Sequence, residues 1–194
     1  MNDPPMGTTK REAVLDAALE LFEERTFYGT AMPLVAARAG VGAGTIYRHF
    51  ESKEVLANEL FRFWKGELAA ALAPAAAAPS AVAGFGLYWD GLTDFTLAHP
   101  TAFAFLETHR HQPYLDADSR AIALALDSQI ERFIRRHQRT GDLRSGDPAE
   151  LIALVLGAFV GLVRAAGDGR IRLTRRRLRA AAPRVWHLIG PPMR

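Results

Sequence analysis

Cysteine is absent from this chain of 194 residues. That excludes a disulfide scaffold, a cysteine-ligated zinc site and a thiol nucleophile. Lysine is nearly absent: Lys10, Lys53 and Lys65 are the three, so 21 of the 24 basic residues are arginines. Beside abundant alanine, glycine and proline, this bias fits genome base composition as well as nucleic-acid binding and carries little weight. Nor is there a strong charge of one sign, since a net +3 is a weak field for steering an anionic partner. The longest apolar run, 151–163, is 13 residues, short of the roughly 18 needed to span a bilayer. The opening MNDPPMGTTKRE holds no apolar stretch, so no secretory signal is expected. A phosphate loop of glycines and lysine, HExxH and GxSxG are all missing. His109 and His111 stand two apart, whereas a helical metal pair needs three or four. The expectation is a cytoplasmic protein that is not an enzyme, with no membrane, no metal and no cofactor.

What is present reads as helix. Apolar residues recur at three and four, and period-two alternation is scarce. Thr9-Lys10-Arg11-Glu12 is a capping box, followed by the stripe Val14, Ala18, Leu21 and Phe22 to about Arg25. Tyr28-Gly29-Thr30 breaks this helix. Pro33 suits the first turn of a second one, which ends at Gly40. Gly42 and Gly44 bracket a short third helix running to about His49. Ser52 caps a fourth, with Leu56, Leu60, Phe63 and Trp64, expected to fade into a proline-bounded loop at 73–79. Further helices are expected over 81–98, 100 to about 109, about 118–139 and from 148, with a last one carrying Leu178, Val185, Trp186 and Ile189. The fold expected is all-α. Residues 1–53 form a three-helix head, a connecting helix covers 53–72, and 54–194 form a helical body.

The informative segment is TAMPLVAARAGVGAGTIYRHFESK at 30–53. Two short helices meet at Ala39-Gly40-Val41, with Val35, Ala36, Ile46 and Phe50 apolar between them. This is the spacing of a helix-turn-helix, whose second helix enters a major groove. Small residues at its start, Ala43 and Gly44 after Gly42, let the backbone lie close to DNA. Thr45, Tyr47, Arg48 and His49 project around a helix too short to bury a polar face. Lys53 opens the next helix, where a cation and amide donors can hold a phosphate. Residues 1–53 carry six bases against seven acids, so few phosphate contacts and a modest salt dependence are expected.

Gly44-Thr45-Ile46-Tyr47-Arg48-His49-Phe50, between Ala39-Gly40-Val41 and Ser52-Lys53-Glu54, resembles the DNA-binding signature of TetR-family transcriptional regulators. Ala17-Ala18-Leu19-Glu20-Leu21-Phe22 and Tyr28-Gly29-Thr30 match as well, and the likeness runs from Lys10 to about Phe61. It implies a homodimer on double-stranded operator DNA, with a divergent helical body that holds a small-molecule pocket. It also implies that Thr45 and Tyr47 touch phosphate or base edges, that His49 bonds the backbone, and that Lys53 binds phosphate. Arg48 falls at a variable exposed position. The sequence departs from the pattern at Gly42 and at Met32-Pro33-Leu34, where polar or basic residues are common, and each departure removes possible contacts.

Beyond the head, the helix containing 151–163 is apolar nearly all round and must be covered on more than one face. Leu156, Gly157, Val160 and Gly161, with Val185, Trp186 and Ile189 of the last helix, are expected to pair with their copies across a dimer. An internal core helix is the plainer alternative. Trp89, Phe103 and His109 are the candidate lining of the pocket for a partly apolar small molecule, against ordinary core packing. The arginine run 170–179 is read as a solvated turn and helix start. The rival to a ligand-released repressor is a helical ligand-binding protein with weak or lost DNA binding.

Overall fold

A computed structural model describes residues 9–191, which contain nine helices and no strand. In chain order these are α1 (Lys10–Arg25), α2 (Met32–Arg38), α3 (Ala43–His49), α4 (Lys53–Ala76), α5 (Ala81–Ala98), α6 (Pro100–Thr108), α7 (Ala117–Arg139), α8 (Pro148–Gly167) and α9 (Arg175–Ile189). The fourth helix outlasts its expected end, because it continues through Pro74 to Ala76. Proline removes one ladder bond, but the alanines around it are the strongest helix formers.

The chain divides into two compact units. The first comprises the described residues up to Trp64 together with Thr101–Arg120; the second comprises Lys65–Pro100 and the chain from Ala121 on. The division expected at 53/54 therefore moves, and α6 with the corner before α7 joins the head.

In the first unit the capping box forms as expected, with Glu12 N–H donating to Thr9 Oγ1 and Glu12 Oε2 accepting from Thr9 N–H. Val14, Leu21 and Phe22 of α1 pack on Val35 and Ile46, all fully buried. Aromatic stacking attaches the α6 segment: Phe22 lies 6.2 Å from Phe105 and Phe27 lies 4.0 Å from Tyr114. Buried Asn58 completes the attachment. Its Nδ2 donates to the Glu54 and Tyr114 carbonyls, and its Oδ1 accepts from Asp116 N–H. The sequence pattern carries no signal for this, since a single asparagine on an apolar stripe has no periodicity.

The second unit packs α5 and α8 against α9. Trp89 is buried at its centre, edge-on to Phe159, with its indole N–H donating to the Leu178 carbonyl at 2.9 Å. Asp147 caps α8 through its side chain, and Arg144 donates to the Gly190 and His187 carbonyls at the end of α9. That cation satisfies carbonyls a helix terminus leaves open. With a mean hydropathy of 2.0, α8 is long and apolar enough to cross a membrane by composition alone. Only 17% of that window is buried within the chain.

Candidate functional site

Gly40 adopts φ 64°, the left-handed turn conformation that glycine takes without strain. This sets α3 against α2 with Ile46 inward and fully buried. The opposite side of α3 faces solvent. Ala43, Gly44, Tyr47, Arg48 and His49 are exposed and Thr45 is half-buried. Tyr47 is 49% exposed. No atom outside the local backbone lies within 4 Å of where a Cβ would stand on Gly42 or Gly44. A flat surface can therefore approach this end of α3 closely. Five of the six α3 candidates are thus exposed and the sixth, Thr45, is half-buried.

Lys53 departs from its expected role. Its ammonium turns inward and donates to the Phe27 carbonyl at 2.8 Å and the Thr30 carbonyl at 2.9 Å. It also lies 4.3 Å from the centre of the Phe27 ring. Two of its three protons are committed to the α1–α2 turn, so it pins that turn rather than presenting a free cation to phosphate. The reason is local: residues 27–30 close a non-helical corner whose carbonyls have no helical partner. Other bases of the head are engaged as well. Arg38 pairs with Glu20 and Glu24, and Arg11 with Glu59. The guanidinium of Arg38 donates to the Glu24 carboxylate and holds its pKa below the ordinary value.

The second unit contains a cavity of about 650 Å³, counting its open mouth. Four helical stripes line it: Leu72, Ala75 and Ala76 of α4; Ala81, Gly84, Phe85 and Tyr88 of α5; Leu126, Gln129, Ile130, Phe133 and Ile134 of α7; and Leu151, Ile152 and Val155 of α8. None of the three pocket candidates lies on it. Trp89 belongs to the core described above. Phe103 is fully buried in the first unit. His109 is in the first unit too, 6.4 Å from Phe105, where burial lowers its pKa. The usable signal was the i, i+3, i+4, i+7 stripe of α7, visible in the sequence as a packing face.

The dimer candidates also separate. Gly157 and Gly161 are exposed with open space around them, Leu154 beside them is 48% exposed, and Leu156 and Val160 are half-buried. Trp186 is half-buried against Phe85 at 5.3 Å. Val185 and Ile189 are buried in their own unit, with Ile189 on the cavity wall. With Leu178 they form the inward stripe of α9, so they are not available to a second chain. Three arginines of the run 170–179 are paired: Arg175 with Asp94 and Arg179 with Asp90 of α5, and Arg170 with Asp168.

Two family models match the chain: bacterial regulatory proteins of the tetR family over residues 14–60, and the tetracyclin repressor-like C-terminal domain over 74–189. The HTH-type transcriptional repressor KstR2 of Rhodococcus jostii is 36% identical over 73 residues, 35% of this chain and 36% of the relative. The uncharacterized HTH-type transcriptional regulator YhgD of Bacillus subtilis is 41% identical over 56 residues, 29% of each. The match thus spans about a third of the curated relatives' length. Solved structures match over nearly the whole chain. A provisionally assigned tetR-family transcription regulator of Shewanella sp. PV-4 has a TM-score of 0.77 at 26% identity, covering 95% of this chain and 100% of that one. A TetR family transcription regulator of Marinobacter aquaeolei VT8 has a TM-score of 0.82 at 20% identity, with 94% and 96% covered. The second family model alone matches more than half of the residues, and the chain belongs to the TetR family of bacterial regulatory proteins.

Proposed function

We propose that the protein is a homodimeric, cytoplasmic DNA-binding transcriptional repressor released from its operator by a small molecule. The observation that carries this reading is the outward surface of α3: a glycine-led helix, with Ile46 as its buried anchor and Tyr47, Arg48 and His49 exposed together. Tyr47 and Thr45 suit phosphate or sugar contacts, and Arg48 suits a guanine edge. Dimerisation supplies affinity that one short helix lacks, since two heads about 34–36 Å apart read two half-sites. The apolar, largely unburied α8 supports the second copy, with Leu154, Gly157 and Gly161 on its open side. The cavity in the second unit supports a ligand. Release requires a coupling of about 1–3 kcal/mol between cavity and operator, felt equally in both directions.

Footprinting on the DNA upstream of the protein's own gene tests the reading. The wild-type chain protects a two-fold site. The double variant Tyr47→Ala, Arg48→Ala keeps its helical circular dichroism and loses protection. Equal protection by both proteins, or none by the wild type, refutes it.

A further inference from the structure

We infer that the cavity of the second unit selects an uncharged hydrophobic molecule, such as a medium-chain alcohol or ester, and rejects both anions and cations of the same length. The inference rests on the reading of this unit as an effector site and specifies the chemistry of that site.

Among the described residues no charged side chain lines the cavity, and of those that line it only Tyr88 and Gln129 end in polar groups. Other ionisable groups stand on the wall helices outside the lining, among them half-buried Glu131 and buried His137, whose ring lies 4.5 Å from that of Phe133. On α7, Arg132, Arg135 and Arg136 are exposed. On α5, Asp90 and Asp94 are held by the arginines of α9. A carboxylate entering the cavity leaves its hydration with no cation to replace it, which is strongly unfavourable in an apolar surround. A quaternary ammonium meets Phe85, Tyr88 and Phe133 but no acid, and ring faces alone repay only part of the lost hydration. One hydroxyl or carbonyl is a different matter, because the Gln129 carboxamide can both donate to it and accept from it.

A Cβ on Gly84 would run into the Phe133 ring, so glycine there lets that ring lie across α5.

The experiment uses the full chain loaded with the neutral fluorescent probe N-phenyl-1-naphthylamine, displaced by decanol, decanoate or decyltrimethylammonium at neutral pH. Decanol displaces the probe. Decanoate does so at least about 100-fold more weakly, because three pH units above a carboxyl pKa near 4.3 only about one molecule in a thousand is neutral. Its apparent affinity rises about tenfold for each pH unit of acidification. Gln129→Arg, at a half-exposed position, raises the affinity for decanoate relative to that for decanol at least about tenfold. Failure of the probe to bind, or equal displacement by decanoate or by the ammonium compound, overturns the inference. Gel shifts on the same samples separate it from the regulatory reading. Decanol that displaces probe without weakening operator binding leaves the ligand class standing and removes the release mechanism.

Discussion

Lys53→Met distinguishes a lysine that holds the fold from one that holds DNA. In the wild type the ammonium donates two bonds, of 2.8 and 2.9 Å, to carbonyls of the buried residues Phe27 and Thr30. Hydrogen bonds to charged groups contribute about 1.5–3 kcal/mol each. Lys53 is half-buried, so the lower end applies and the pair is worth about 3 kcal/mol. Methionine keeps most of the apolar stem and returns part of that, leaving a net loss of about 2 kcal/mol. For a chain of this size the loss lowers Tm by about 4–8 °C. The assay is thermal unfolding followed by circular dichroism, alongside operator binding at several salt concentrations. Each lost phosphate contact makes the slope of log K against log salt shallower by about 0.9, so two heads would lose about 1.8. The expected result is a lower Tm with an unchanged slope. An unchanged Tm with a slope shallower by about 2 would falsify the assignment and return Lys53 to the phosphate backbone.

Three other perturbations follow from the same coordinates. Thr26 adopts φ 62°, ψ 170°, a region that is nearly exclusive to glycine and costs about 1–3 kcal/mol. Thr26→Gly relieves that strain against an unfolded-state loss of about 0.4–1 kcal/mol, so urea unfolding should show a net gain of about 0.5–2 kcal/mol; a lower midpoint contradicts it. Gly157→Arg points a charge outward from α8, where the chain leaves open space, and sedimentation of this variant should give a folded monomer with weakened operator binding; a persisting dimer refutes the proposed interface. The backbone N–H of Ser119, then its hydroxyl and Arg62, hold the Asp116 carboxyl below its ordinary 3.8. A folded-state pKa below the unfolded one stabilises above the unfolded value and is lost as pH falls through the folded value. Acid titration should therefore show stability draining below about pH 4, with a shallower limb in Asp116→Asn.

Local signals were legible because they depend on residues close in sequence. The capping box at Thr9 and the turn at Gly40 each involve partners within a few positions, and each forms. The cavity and the interface depended on which of several apolar stripes faces which neighbour, and periodicity does not contain that information. The apolar stripe of α7 does not itself say that a space lies over Phe133. Trp89 was misassigned for a related reason: an indole that bonds the Leu178 carbonyl 89 positions away reads in sequence like any other large aromatic. Lys53 is the sharper case, because a motif assigns a role to a position. The ammonium answers instead to the nearest open carbonyls, and those belong to a turn 23 to 26 residues earlier.

The effector reading makes a demand on α4. This helix runs from Lys53 to Ala76 and presents Leu72, Ala75 and Ala76 to the cavity. Occupancy alone regulates nothing, since a molecule that fits the cavity equally well in both settings of the helix shifts neither. The operator-bound setting must therefore fit the ligand less well, by the same factor with which the ligand weakens operator binding. Titrating decanol into operator-saturated and operator-free protein measures that factor directly. A ratio of one means that α4 is a rigid spacer and that the cavity serves storage or stability instead of control.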